Sequence, residues 1–220
     1  DIRPPASIFV PSPLPRALMT QAPQQNDLAA LLGSRICHDL ISPIGAIGNG
    51  VELLMMEGSP QSPEMSLISE SVVQAKACIR YFRIAFGAAD LRDQRVARAE
   101  VQAILSERTR GRRLGIAWSS ASELARVEVK LTFLLLMCLE NALPFGGRIV
   151  VTQEDDRWFI RAEADRIKKD DALWAHLTDP QAGIDVTPGR VHFALVPGEL
   201  ARTGRILTAR FGETRIDVTF

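Results

Sequence analysis

The chain has 220 residues, 46% of them apolar and 24% charged, with 26 basic side chains balanced by 26 acidic ones. That is enough apolar material for one large domain or two small ones, and zero net charge leaves no overall field to draw the chain to nucleic acid or a membrane surface. No apolar run approaches the roughly 20 residues of a membrane span, and Cys37, Cys78 and Cys138 have neither metal-ligand spacing nor the even number of a disulfide framework, so they read as small buried hydrophobes in a reducing cytosol. In chain order, residues 1–26 carry six of the thirteen prolines and are expected to be an extended, disordered extension, with Met19 a candidate true start. A long helix is predicted from Asp27, read as its cap, to Glu57. At about 100° per residue, Ile36, Leu40, Ile44, Ile47, Val51 and Leu54 form one apolar stripe. His38 falls nearly opposite, beside Arg35, Ser42, Gly45 and Asn49, so core packing does not explain it. A carboxylate, Asp39, follows it directly. Pro43 lies inside the helix, where proline costs roughly 3 kcal/mol. A helix carrying that cost beside an exposed histidine points to chemistry at His38.

The turn Gly58-Ser59-Pro60-Gln61-Ser62-Pro63 leads into a second helix with a strict heptad seam of Met65, Ile68, Val72, Ala75, Ile79, Phe82 and Phe86. Two such helices make an antiparallel hairpin, and two hairpins related by a two-fold axis make a four-helix bundle, so a homodimer with His38 on its outer face is expected. Gly48 is assigned to close helix packing and Gly45 to clearance for a docking partner. Gly87-Ala88-Ala89-Asp90 breaks the seam. The arginine-rich stretch that follows has interleaved acids and no aromatics, and reads as a solvated helix at about 98–109 rather than a nucleic-acid site.

From there the pattern becomes strand and helix. Strands are expected at Leu114–Trp118, Arg148–Gln153, Arg157–Ala164, Arg205–Arg210 and Thr214–Phe220. Helices are expected at Val127–Leu143, near Lys169–Leu177 and from about Gly189 to Arg202. The fold class is α+β: a mixed sheet with helices on one face follows the hairpin. The expected divisions are 1–26 extension, 27–90 helical hairpin for dimerisation, and 91–220 the α/β domain. His176 and His192 read as structural, and Asn141 as making a hydrogen bond at a helix end.

His38-Asp39-Leu40-Ile41-Ser42-Pro43-Ile44 resembles the H-box of sensor histidine kinases, and Leu139-Glu140-Asn141-Ala142-Leu143 resembles the end of their N-box. The nucleotide motifs depart from that pattern. Met137 stands where a second asparagine is wanted, Pro144 where a lysine would follow, and Ala164-Asp165-Arg166-Ile167-Lys168-Lys169 where Asp-x-Gly-x-Gly would be. Of the last glycine motif only Gly189 remains, in Gly189-Arg190-Val191-His192-Phe193-Ala194. Phosphate cradling needs unobstructed backbone N–H groups, so no ATP site is expected. A complete phosphoacceptor helix with a degenerate kinase ATPase-like domain is similar to the ChpT-type histidine phosphotransferases. That resemblance implies a phosphoryl relay through His38 between aspartates of receiver domains. Asp39 would orient the ring, while Arg35 and Ser42 would meet phosphoryl oxygens. Gly45 and Asn49 would clear space for the receiver. It also implies no cofactor of the chain's own, with Mg²⁺ on the partner receiver. The competing readings are a working ATP-dependent histidine kinase and a non-catalytic dimeric scaffold that docks receivers.

Overall fold

The computed structural model describes residues 25–57, 63–87 and 94–220. Expectations for residues 1–24, for the turn at 58–62 and for 88–93 lie outside the described residues. The chain opens on two helices, α1 (Gln25–Glu57) and α2 (Pro63–Ala85), packed along one another. Because α1 begins at Gln25, Asp27 lies inside it and not at its cap. Close approach of the two helices is set by a glycine, but not the expected one. Gly48 has open space around it, whereas a Cβ on Gly50 would lie 2.5 Å from Ile68 Cγ1. A side chain at 50 would therefore require Ile68 of α2 to move.

Then follow β1 (Arg95–Ala97), α3 (Arg98–Thr109), β2 (Leu114–Ser119), β3 (Glu123–Ala125), α4 (Arg126–Ala142), β4 (Gly147–Glu154) and β5 (Arg157–Glu163). The chain ends with α5 (Asp171–His176), a 3₁₀ turn (Pro188–Arg190), α6 (Val191–Thr203), β6 (Thr208–Phe211) and β7 (Arg215–Thr219). The main sheet has the order β2-β4-β5-β7-β6, with β2 and β4 parallel and the rest antiparallel. Its inner face presents Ile149, Val151, Trp158, Ile160, Ala162, Ile216 and Val218, all buried, to the helical layer. Arg161, Glu163 and Arg215 on the other face are exposed. The α+β architecture is thus the expected one. The small antiparallel pair β1–β3 is an addition, and its three-residue strands are too short to show a period of two. The last long helix starts at Val191 because Pro188–Arg190 forms the 3₁₀ turn first.

The hairpin and the α/β part share one core. Cys78, Tyr81, Phe82, Ile84 and Ala85 of α2 join the same apolar cluster as α3, α4 and the sheet. Tyr81 stacks on Phe133 with ring centroids 4.3 Å apart, and its hydroxyl donates to the Phe133 carbonyl at 2.6 Å. On the other side, α1 rests on the 3₁₀ turn and the start of α6.

That arrangement changes which apolar residues are covered. Between residues 28 and 54 of α1, Pro43 and Gly50 are the buried positions, and Ile36, Leu40, Ile47 and Leu54 are partly covered. Ile44 and Val51, expected in the same core stripe, are exposed in the single chain, and so are Ile41 of α1 and Met65 and Ile79 of the α2 seam. The apolar surface of the hairpin is wider than the contact between two helices, so one edge faces α2 and the other faces out. Cys37 sits toward that outer edge and is exposed, unlike Cys78 and Cys138, which are buried as expected.

Candidate functional site

His38 lies in the first half of α1, and its side chain is 84% exposed. Ser42, Gly45 and Asn49, the neighbours one to three turns along, are all exposed, and nothing approaches a Cβ placed on Gly45. The structure therefore places these predicted residues on one open strip of helix around His38. Pro43 lies on the covered side of the same turn, where it withholds the N–H that would have bonded the Asp39 carbonyl.

The ring of His38 is not loose. Its Nδ1 lies 3.1 Å from Asp39 Oδ1. A carboxylate oxygen only accepts, so Nδ1 carries a proton, and in the neutral ring Nε2 keeps its lone pair. The other carboxylate oxygen, Asp39 Oδ2, accepts from Arg35 Nε at 3.0 Å. Arg35 Nη1 donates to the main-chain carbonyl of Gly189 at 3.1 Å, across to the 3₁₀ turn of the α/β part. Arg35 was expected to reach a phosphoryl oxygen. Its guanidinium is instead turned inward, held between Asp39 and Gly189 with only 18% of the side chain exposed. Helix periodicity could not reveal this, since the acceptor is a backbone carbonyl 154 residues away.

Behind this site is a buried charged layer that the sequence did not disclose. Arg108 of α3, 4% exposed, makes a bidentate ion pair with Glu140 of α4, one of its two bonds measuring 2.8 Å. The same guanidinium lies 4.5 Å from the centre of the Tyr81 ring. Glu140 belongs to the N-box-like segment, and its carboxylate is taken up by Arg108 of α3. Met137 is buried, and Asn141 is exposed with no side-chain hydrogen bond among the described residues, which removes the helix-end role expected for it. After β5, Trp174 of α5 packs edge-on against Phe193 and Phe211. Among the described residues no cluster of His, Cys, Asp and Glu could hold a metal ion.

His192, at the start of α6, is 1% exposed and neither ring nitrogen has a hydrogen-bond partner among the described residues. Burial, with the positive charges of Arg35 and Arg108 adding to it, pushes this imidazole down to about 3. The folded chain thus keeps His192 neutral where the unfolded chain, near the ordinary value of 6.5, takes up a proton. Its contribution is complete above pH 6.5 and is lost progressively as the pH falls toward 3. At about 1.4 kcal/mol per unit, wild type should lose about 2 kcal/mol between pH 6.5 and 5 from this group. Urea midpoints of wild type and His192→Phe at the two pH values measure it, and equal losses in both would count against the assignment. His176, in contrast, has a partner: its Nδ1 lies 2.7 Å from the Ala182 carbonyl.

Comparison with known proteins places the chain. Residues 98–215, more than half of it, match the family described as the histidine phosphotransferase C-terminal domain. A curated relative, the protein phosphotransferase ChpT of Brucella abortus (strain 2308), is 41% identical over 129 residues, which are 58% of this chain and 61% of the relative. The match therefore spans less than two thirds of that relative's length. The solved structure of a bacterial phosphotransferase superposes with a TM-score of 0.73 at 29% identity, covering 89% of this chain and 96% of that one. A histidine kinase domain from the blue-light activated kinase of Erythrobacter litoralis gives 0.42 at 18% identity, covering 88% and 91%. On the family match over more than half its length, the chain belongs to the histidine phosphotransferases.

Proposed function

We propose that the chain relays a phosphoryl group between the aspartates of two receiver domains through His38, in a phosphorelay. The observation that carries this is the state of His38: exposed, with Nδ1 engaged by Asp39 and Nε2 open on a strip of helix lined by small and polar side chains. In the forward step the Nε2 lone pair attacks phosphorus in line as the P–O bond of the donor's aspartyl phosphate breaks. The donor keeps its carboxylate. The new P–N bond leaves the imidazole cationic, and the Asp39 carboxylate beside Nδ1–H offsets that charge. The reverse step onto a second receiver's aspartate restores the neutral ring. The chemistry asks for positioning more than for acid–base catalysis. In this reading Mg²⁺ belongs to the receiver, Ser42, Gly45 and Asn49 face it, and the chain uses no ATP. ChpT of Brucella abortus, named a protein phosphotransferase, supports the assignment.

The exposed apolar edge supports the rest of the reading. Ile44 is 57% exposed and Ile79 53%, and they lie with Ile41, Val51 and Met65 on the hairpin, a patch that a second copy would cover in a four-helix bundle. We take the working state to be a cytoplasmic homodimer. No helix among the described residues is long and apolar enough to cross a membrane.

The test is to mix the chain with a receiver carrying labelled aspartyl phosphate, with no nucleotide present. Label should move to the chain in an acid-labile, base-stable form. Label taken from ATP alone would favour the kinase, and label that never leaves the receiver would favour a docking scaffold. Sedimentation at micromolar concentration should give twice the chain mass, and a monomer would remove the dimer.

A further inference from the structure

We propose that the Gly189 main-chain carbonyl, acting through Arg35 and Asp39, positions His38, so that the α/β part sets the tautomer and orientation of the phosphoacceptor ring. This rests on the relay reading above. It gives the α/β part a role that requires no nucleotide.

The contacts form a line. The Gly189 carbonyl accepts from Arg35 Nη1 at 3.1 Å, Arg35 Nε donates to Asp39 Oδ2 at 3.0 Å, and Asp39 Oδ1 meets His38 Nδ1 at 3.1 Å. Exposure falls along it, from 84% at His38 to 18% at both Asp39 and Arg35, so the ring is wet and its supports are not. Without Arg35 the Asp39 carboxylate could rotate away from the ring or bond water. A single lysine-like point donor would leave one of the two acceptors unserved, whereas the guanidinium fork reaches both.

The far end of the line is fixed in turn. Pro188 restricts its own backbone angle, and Arg190 N–H donates to the Thr187 carbonyl at 2.9 Å to close the 3₁₀ turn. The Arg190 guanidinium lies 3.6 Å from Asp170, whose side chain also caps α5 by accepting from Leu173 N at 3.3 Å. Val191, directly after the turn, is fully buried. A carbonyl so tethered holds Arg35 in place and does not follow it. Glycine is not needed at 189 for space, since a Cβ there would meet only Arg35 Nη1 at 3.9 Å. The carbonyl is the working group.

The experiment reads the His38 ring nitrogens by ¹⁵N NMR in the full chain, beside transfer rate and receiver affinity. Wild type should show predominantly the Nδ1–H tautomer. Arg35→Met should lower that population and slow transfer by about ten- to a hundredfold, with receiver Kd unchanged within about twofold. Removing the Pro188 ring and the Arg190–Asp170 ion pair, in Pro188→Gly/Arg190→Ala, should shift the tautomer in the same direction. An unchanged tautomer in Arg35→Met overturns the proposal. A weaker Kd with an unshifted tautomer makes Arg35 a receiver contact instead. An unshifted tautomer in the double variant takes the 3₁₀ turn out of the line. If wild type accepts no phosphate at all, the relay reading fails, but the tautomer comparison is still readable.

Discussion

Replacing His38 with alanine should abolish uptake of label from a phosphorylated receiver while leaving the stability of the chain within about 0.5 kcal/mol of wild type. Both halves of that outcome follow from exposure. The side chain is 84% exposed and hydrogen-bonds only with Asp39 among the described residues, so its removal opens no cavity. Alanine is also the better helix former. The rate falls by about 10³-fold or more because no other group on the strip is an activated nucleophile: the Ser42 hydroxyl makes no hydrogen bond to a base among the described residues, and Asn49 is an amide. Rapid-quench transfer assays and thermal melts measure the two halves. Uptake by His38→Ala at a rate near wild type would mean that phosphate travels through another residue. A large drop in melting temperature would mean that His38 is structural.

Arg108→Met should cost about 3–5 kcal/mol, the largest stability loss expected from any single polar side chain here. The ion pair with Glu140 joins α3 to α4, and the guanidinium lies over Tyr81, which carries α2 into the same core. Glu140 holds the Arg108 guanidinium in its charged form against the cost of burial. Methionine fills part of the volume but leaves the Glu140 carboxylate without its cation at 16% exposure. Removing both charges is cheaper than removing one, so Arg108→Met/Glu140→Leu should be less destabilised than the sum of the single changes. Urea denaturation of the four chains gives the cycle. A loss under about 1 kcal/mol for Arg108→Met, or strict additivity, would show that the pair is a bystander.

Much of this was legible in the sequence. The order of helices and strands follows from periodicity and turn residues, and His38 stands out because it opposes an apolar stripe beside Pro43. What could not be read is of three kinds. The strands at Arg95–Ala97 and Glu123–Ala125 are too short to carry a pattern. The exposure of Ile44 and Val51 depends on which edge of a broad apolar surface α2 covers, and periodicity gives the surface but not the edge. The contacts of Arg35 with Gly189 and of Arg108 with Glu140 join residues far apart in the chain, one of them through a carbonyl with no side-chain signature. Gly50 was missed for a related reason: glycines at 45, 48 and 50 look alike until the partner residue, Ile68, is known.

The shared burial of α2 has a consequence for the speed of encounter. Its C-terminal half is packed by α3 and α4 while α1 is bonded to the turn before α6, so the helix bearing His38 is tied to the α/β part at two places. A protein that docks on His38 then meets a helix already held in place, and this chain gives up little conformational entropy on association. Its association rate should therefore be governed by collision and surface charge, rising at low ionic strength and showing no slow isomerisation phase in stopped-flow traces.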